Sequence, residues 1–140
     1  MAIKLILMLK RKPGMTPAAF REEYESGHSR LGLKLFGHLW QEYRRNYLGV
    51  TNNFVNAVEP GAGAQAPSGS PQVPEPPYDV ITEIIFPNEA ALQEMNRIAS
   101  ANAKILADDE LRLFDREKCL VTVCESLEED LRPYKRSPSP

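Results

Sequence analysis

The stretch "IKLILMLKRKPGMTPAAFREEYES", residues 3–26, joins a strand to a helix and decides the fold. Pro13 and Gly14 form a turn signal that stops the first strand, which we assign to residues 3–14. Thr16 is a good N-cap and precedes proline, so a helix is predicted over residues 16–26. The strand is apolar on both faces, whereas a strand covered on one side alternates with polar residues. We therefore expect both faces of this strand to be buried.

The rest of the chain adds three strands and two helical regions. Their predicted bounds are a short helix at 29–40, strands at 43–50 and 78–86, a helix at 88–114 with Asn102 as a candidate break, and a strand at 116–126. The order β-α-β-β-α-β predicts an α+β, ferredoxin-like fold, in which two helical regions cover one face of a four-stranded antiparallel sheet. Nothing in the chain is left to cover the second face. A second copy is the economical cover, so we predict a homodimer, a dimeric α+β barrel.

The predicted domain spans residues 1–126 and contains one segment of different composition. Residues 58–77, "VEPGAGAQAPSGSPQVPEPP", are mostly Pro, Gly, Ser and Ala and carry almost no large apolar side chain. Such a segment buries too little surface to order itself, so a long flexible loop is expected there. Residues 127–140 are polar and contain proline, which predicts a frayed tail.

Composition and charge exclude several classes of protein. The net charge of -2 gives no basic excess for nucleic acid. No run approaches the roughly 20 apolar residues of a membrane-spanning helix, and no signal peptide is recognisable. Cys119 and Cys124 are five residues apart in one predicted strand, so they point to opposite faces and do not bridge there. We expect a cytoplasmic protein with free thiols.

Motifs for cofactors are missing from the sequence. It has no glycine-rich phosphate loop between a strand and a helix, no Cys/His cluster with zinc spacing, and no Gly-x-Ser-x-Gly elbow. We therefore expect neither a metal nor an anchored cofactor.

His28 is the leading candidate for chemistry. It follows Phe20 and Tyr24 at spacings of four, so all three share one face of a continuous helix. Gly27 is a poor helix former, and we expect the helix to end or kink there so that His28 faces a pocket. Histidine gives and takes a proton near neutral pH. The alternative is a histidine at a helix end that satisfies a backbone carbonyl.

Three stretches together resemble the EthD-domain family: "LMLKRKPGMTPAAFREEYESGHSRLGLKL" at 7–35, "YDVITEIIF" at 78–86 and "ADDELRLFDREK" at 107–118. The resemblance covers residues 3–125 outside the Pro-rich segment, and His28 aligns with the family's recurrent histidine. It implies a ferredoxin-like subunit, a homodimer, and a pocket between sheet and helices. Members are linked to ether degradation, or act in fungal aromatic polyketide pathways as dehydratases, cyclases or decarboxylases without a cofactor. Ser29 and Arg30 depart from the family, in which many members have a small residue and proline.

Further candidates lie on the second and third strands. On the third strand, the face predicted to pack on the helices is formed by Tyr78, Val80, Thr82, Ile84 and Phe86. Glu83 is expected on the opposite face, where it could orient His28 or act as a second acid–base group. Equally, it could form an ion pair with Lys4, Arg44 or Arg45. On the second strand, Tyr43, Arg45 and Tyr47 share one face and Arg44, Asn46 and Leu48 the other, and periodicity leaves open which is inside.

The predicted substrate-binding residues are Tyr24, Trp40, Tyr43, Asn46 and Tyr47, with core packing as the alternative for each aromatic one. With His28 and Glu83 as candidate catalytic residues, we predict a cofactor-independent lyase of secondary metabolism. It would dehydrate, decarboxylate or cyclise a small aromatic, polyketide-type substrate. The alternative is a non-catalytic module that binds or carries a small molecule.

Overall fold

The computed structural model describes residues 1–53 and 73–137. The strands are β1 (Ile3–Leu9), β2 (Glu42–Tyr47), β3 (Val80–Phe86) and β4 (Leu120–Cys124). The α-helices are α1 (Pro17–Glu23), α2 (Ser29–Phe36), α3 (Glu89–Ala101) and α4 (Ala103–Leu113). A π-helical turn (Tyr24–His28) joins α1 to α2, and 3-10 turns lie at Gly37–Leu39, Arg116–Lys118 and Arg132–Tyr134.

The sheet has the strand order β2-β3-β1-β4, and all three pairings are antiparallel. Central β1 pairs with β3 so that Leu5 lies opposite Ile84, and with β4 so that Leu5 lies opposite Val123. Split βαβ units with this antiparallel sheet define the ferredoxin-like arrangement. The predicted α+β fold class is therefore confirmed.

The core lies between the sheet and the helices. On β3 every second side chain, from Val80 to Phe86, is buried against the helices, as the alternation predicted. One core cluster joins Leu9 and Phe20 to Leu113 and Phe114, and a second joins Leu5, Ile84 and Phe86. The gap between these two clusters is where the candidate site lies.

The first helical region runs on through Gly27, which corrects the expected break. Backbone φ and ψ stay helical at both ends of the π turn, and α2 follows it directly. The backbone passes Gly27 as a single π-helical turn and does not leave the helical conformation there. The long helix at 88–114, in contrast, is interrupted at Asn102, where φ is -118° and ψ is 26°.

All four predicted strands are longer than the observed ones: the first already ends at Leu9, and the third begins only at Val80. The second strand ends at Tyr47, and the fourth begins at Leu120 because Arg116–Lys118 forms a 3-10 turn. Cys119 therefore precedes β4, and the two cysteines do not share a strand. The Cys119 thiol is half-buried and accepts a hydrogen bond from the Lys10 amide at 3.3 Å. Burial raises the pKa of this thiol.

Most of the predicted 58–77 loop, namely 58–72, lies outside the described residues. Its last residues are held against the end of β1. The Glu75 carboxylate lies 3.0 Å from the Lys10 ammonium and 3.1 Å from the Arg11 guanidinium. Arg11 also pairs with Asp79 at 2.5 Å. This end of the segment is therefore tied to the sheet.

The second sheet face and the edge strand β4 are not covered by any described helix. Ile6, Met8, Ile81 and Ile85 lie on this open face, around an ion pair between Lys4 and Glu83. On β4, Leu120, Val121 and Val123 are 53%, 61% and 58% exposed. Leu120 continues the open face, whereas Val121 and Val123 lie opposite Leu7 and Leu5 on the helix side of the sheet. The open face is therefore an apolar surface that the described helices leave uncovered, and such surfaces often mark an interface.

Candidate functional site

A cavity of about 190 Å³ lies between the sheet and the helices. Its walls are mostly apolar and aromatic, with His28 and Glu110 as the charged or titratable exceptions and three hydroxyl-bearing side chains. The lining residues come from β1, β2, β3 and every α-helix except α1. Concave, mostly apolar surroundings with a few polar groups are typical of small-molecule sites.

His28 is held in this wall by Asp109. The His28 Nδ1 atom lies 2.5 Å from Asp109 Oδ2, and the two side chains are 22% and 10% exposed. A carboxylate at Nδ1 fixes the proton on that nitrogen and leaves Nε2 as the basic atom. The imidazole ring also packs against Tyr24 and Phe114, at centroid distances of 4.9 and 5.0 Å. Position, orientation and tautomer of His28 are thus all constrained.

Asp109 is itself held by Arg112. Its Oδ1 accepts a hydrogen bond from Arg112 Nη2 at 2.9 Å, and Arg112 Nη1 pairs with Glu23 on α1. Charges therefore alternate from Glu23 through Arg112 to Asp109, next to His28. The hydrogen bond to Asp109 raises the pKa of Arg112, so this guanidinium stays charged beside the Asp109 side chain. An ionised Asp109 is the form that orients His28.

Gly27 gives the guanidinium of Arg112 room for this arrangement. A Cβ atom at position 27 would lie 3.1 Å from Arg112 Nη2, which is closer than ordinary van der Waals contact. The π turn, which is frequent at functional sites, brings this glycine and His28 to the α4 side of the helix. The glycine next to His28 is explained by close packing and not by a helix end.

Alanine at position 27 is expected to stabilise the protein less than alanine at Gly32. Both glycines are helical, and Gly-to-Ala in a helix gains about 0.5–1 kcal/mol. At Gly32 the new Cβ meets Trp40 at an ordinary 3.5 Å, so that gain is realised. At Gly27 the new Cβ atom requires Arg112 Nη2 to move by a few tenths of an ångström, which reduces the gain. Urea unfolding of Gly27→Ala and Gly32→Ala measures the difference, and equal gains would contradict the close contact.

A buried pair of hydroxyls lies in the cavity wall beside His28. Tyr24 Oη and Thr82 Oγ1 are 2.7 Å apart, and both residues are 1% exposed. Burial raises the pKa of Tyr24, and the nearby Tyr43 raises it further. The phenol of Tyr24 is therefore a neutral donor and acceptor, and it does not act as a base at neutral pH.

A second cavity of about 160 Å³ lies on the other side of His28. It shares Leu7, His28 and Glu110 with the first cavity, and Phe114 and Cys119 are among its other walls. Glu110 also pairs with Arg116 at 3.3 Å. His28 thus stands at the junction of two adjoining spaces.

Of the predicted substrate-binding residues, Tyr24, Trp40 and Tyr43 line the larger cavity. The structure settles the orientation of β2, placing Tyr43, Arg45 and Tyr47 on the helix side. Tyr47 is absent from the residues that line this cavity and donates to Glu25 Oε2 at 2.6 Å. Hydrogen bonds from Arg45 lower the pKa of Glu25 to about 2. Because Arg45 and Tyr47 both bind the Glu25 carboxylate, they link β2 to the π turn.

Asn46 and Glu83 are not part of the site, which corrects their predicted association with it. Both lie on the open sheet face, away from His28, because neighbouring residues of a strand point to opposite faces. Asn46 donates to Glu83 at 3.0 Å, and Lys4 pairs with Glu83 at 2.6 Å. These contacts lower the pKa of Glu83. The structure therefore agrees with the alternative in which Glu83 forms an ion pair with Lys4, and the expectation that Glu83 orients His28 is wrong.

Sequence reasoning missed Asp109, Glu110 and Thr82. The stretch "ADDELRLF" at 107–114 contains both acids, but its pattern does not distinguish them from acids on a solvent-exposed helix face. Thr82 lies on the predicted helix-packing face, where a lone hydroxyl is a usable but weak signal.

Among residues 1–53 and 73–137, no group of three or more His, Cys, Asp or Glu side chains is arranged to hold a metal ion. In the same ranges, no helix is long and apolar enough to cross a membrane.

Residues 12–117 match the EthD domain family. No curated protein matches the sequence. Three solved structures share the fold at low sequence identity. An ethyl tert-butyl ether D (EthD) family protein of Bacillus halodurans is 16% identical, with a TM-score of 0.57 over 91% of this chain and 100% of its own.

The other two come from a plant and a second bacterium. A protein of Arabidopsis thaliana is 18% identical, with a TM-score of 0.54 over 92% of this chain and 99% of its own. An EthD-like protein of Ralstonia eutropha is 12% identical, with a TM-score of 0.56 over 92% of this chain and 95% of its own. At these identities the likeness extends to the fold alone.

Proposed function

This chain belongs to the EthD domain family, and we propose that it is a cofactor-independent lyase or cyclase acting on a small aromatic, polyketide-type substrate. The reaction would be a dehydration, a decarboxylation or a cyclisation, with His28 moving the proton. Such steps on enolisable substrates need a placed base in a water-poor pocket.

One observation carries the proposal: the His28 imidazole, fixed by Asp109 through Nδ1 at 2.5 Å, lines an apolar cavity. A histidine that merely caps a helix would contact a backbone carbonyl. Here the carboxylate partner selects the tautomer in which Nε2 is free to accept a proton. When Nε2 takes that proton, Asp109 stabilises the resulting imidazolium. This is the arrangement of a general base.

The cavity walls support an aromatic substrate. Trp40 lies 4.8 Å from Tyr43 and 6.1 Å from Phe36, measured between ring centroids, and all three line the larger cavity. Aromatic walls favour flat, apolar ligands through stacking and edge contacts. The two adjoining cavities of about 190 and 160 Å³ together reach the lower range of small-molecule sites, about 300 Å³ and above.

The test is to incubate the wild-type protein with a panel of aromatic polyketide intermediates and follow the products by mass spectrometry. We expect a loss of about 18 or 44 mass units, for water or carbon dioxide, or a cyclised isomer with a new retention time. A ligand that binds stoichiometrically and is recovered unchanged after long incubation would overturn the enzymatic proposal. It would favour the carrier alternative, which the predominantly apolar walls of the cavity also suit.

A homodimer is the second part of the proposal. The open sheet face carries Ile6, Met8, Ile81 and Ile85, and it continues on the edge strand β4 with Leu120, which is 53% exposed. Burial of this surface against a second copy removes apolar area from water, which is the main driving force for association. Two such sheets packed face to face give the predicted α+β barrel.

Lysine at Met8 is expected to convert the dimer to a monomer. Met8 lies on the open face between its neighbours Ile81 on β3 and Leu120 on β4. Light scattering after gel filtration should give twice the 15.7 kDa chain mass for the wild type and the single-chain mass for Met8→Lys. The matched control is Ile105→Lys, at an exposed helix position. A monomeric wild type at micromolar concentration would refute the dimer.

A further inference from the structure

We propose that the buried hydroxyl pair of Tyr24 and Thr82 binds a carbonyl oxygen of the substrate and stabilises it as an enolate while His28 removes the α-proton. This inference rests on the proposed function and extends it. It narrows the substrate to a ketone or other enolisable carbonyl compound, and it gives Thr82 a role that the sequence did not suggest.

The first step is a count of protons. Tyr24 and Thr82 each carry one O–H group, and the 2.7 Å contact between their oxygens uses one of these protons whichever residue donates. Tyr43, which lies close enough to raise the pKa of Tyr24, adds a third hydroxyl. A chain of hydroxyls always has one proton more than it has internal hydrogen bonds. One O–H therefore needs an acceptor, and an acceptor oxygen on a ligand can supply it.

The second step is placement. Tyr24 and Thr82 both line the larger cavity, on the π turn and on the central strand β3 respectively. Tyr24 precedes His28 by four residues on the same helix face, and their rings are 4.9 Å apart. A small ligand can therefore touch the imidazole and the hydroxyl pair together. Both hydroxyl-bearing residues are 1% exposed, so a charge developing on the ligand meets little competing water.

The third step is the chemistry. The C–H bond next to the carbonyl breaks, its proton goes to His28 Nε2, and its electron pair forms a carbon–carbon double bond as the carbonyl becomes an enolate. The free O–H donates to this oxygen. When the carbonyl re-forms, a hydroxyl group on the β-carbon leaves and takes the proton from His28, which releases water. The hydroxyl pair acts on the oxygen, and the histidine acts on the carbon and the leaving group.

The experiment uses Tyr24→Phe and Thr82→Val, each of which removes one hydroxyl with little change of shape. Loss of one such donor is expected to lower kcat by about 10²-fold, with a much smaller change in KM. Thr82→Ser keeps the hydroxyl and should retain most of the activity. Tyr134→Phe, which loses a hydroxyl on the exposed 3-10 turn near the end of the chain, is the matched control and should keep wild-type turnover. Circular dichroism and thermal unfolding of every variant confirm that each is folded.

A second measurement does not depend on turnover. 4-Nitrophenol, a flat phenol whose ionisation is visible by absorbance, serves as a probe for the enolate oxygen. We expect the wild type to bind its phenolate form and Tyr24→Phe and Thr82→Val to bind it at least about tenfold more weakly, a loss of one hydrogen bond to a charged group. Equal phenolate binding by all variants overturns the hydroxyl-pair proposal even if the wild type is an enzyme. Weakened binding by both variants supports this subsite even if no panel compound is turned over.

Discussion

Replacing His28 with glutamine is expected to lower kcat on a verified substrate by about 10²–10⁴-fold, the usual contribution of a positioned general base. Glutamine has a similar reach and can still hydrogen bond to Asp109, so the helix and the cavity are retained. What is lost is the group that accepts the proton. Because the rings of Tyr24 and Phe114 pack against His28, glutamine is a better test than alanine, which would leave a gap between them.

The measurement is steady-state turnover, with thermal unfolding as the check on folding. Asp109→Asn is the companion variant, since it keeps the shape but provides an amide in place of the carboxylate that fixes Nδ1–H. It should lose activity as well, because the preferred tautomer of His28 is no longer enforced. Full turnover by His28→Gln would show that proton transfer by this residue is not part of the mechanism.

Replacing Phe20 with alanine is expected to reduce the free energy of unfolding by about 3–5 kcal/mol, the range for removing a buried phenylalanine side chain. Phe20 is 1% exposed and lies on α1, one turn before Tyr24. Its ring makes edge contacts with Tyr24 and Phe114, at centroid distances of 5.8 and 5.9 Å. These two rings also contact His28, so the cavity left by the substitution adjoins the support of the site.

Urea denaturation of Phe20→Ala gives the change in stability directly. Leu111→Ala is a suitable control, because Leu111 lies on α4 but is 56% exposed. That substitution should reduce the free energy of unfolding by less than about 0.5 kcal/mol. A loss below about 1 kcal/mol in Phe20→Ala would mean that the helix packs on the sheet without this ring, contrary to the structure.

Local signals in the sequence were sufficient for the architecture. Thr16 accepts a hydrogen bond from the Ala19 amide, as an N-cap should, and Pro17 occupies the first helical position. The alternation of β3 placed Val80, Thr82, Ile84 and Phe86 on the helix side correctly. These features depend on residues near one another in the chain, so sequence spacing is enough to predict them.

The π turn was beyond such local reasoning. Glycine has low helix propensity, so the sequence favours an end or a kink at Gly27. In the structure the helix continues through Gly27, and Arg112, 85 residues later in the chain, packs over that position. The helix therefore continues despite the low helix propensity of glycine. The residue that contacts this position lies too far along the chain to be identified from neighbouring residues.

Sequence by itself determined the β-α-β-β-α-β order and the helix-packing face of β3, and it singled out His28 as the candidate for proton transfer. Only the tertiary structure decided its partners. It turned Tyr43 toward the cavity, paired Glu83 with Lys4, and brought Asp109 to His28 across 81 positions of sequence. The physical reason is that periodicity fixes the face on which a side chain lies, whereas hydrogen bonds between distant elements depend on how the helices dock on the sheet.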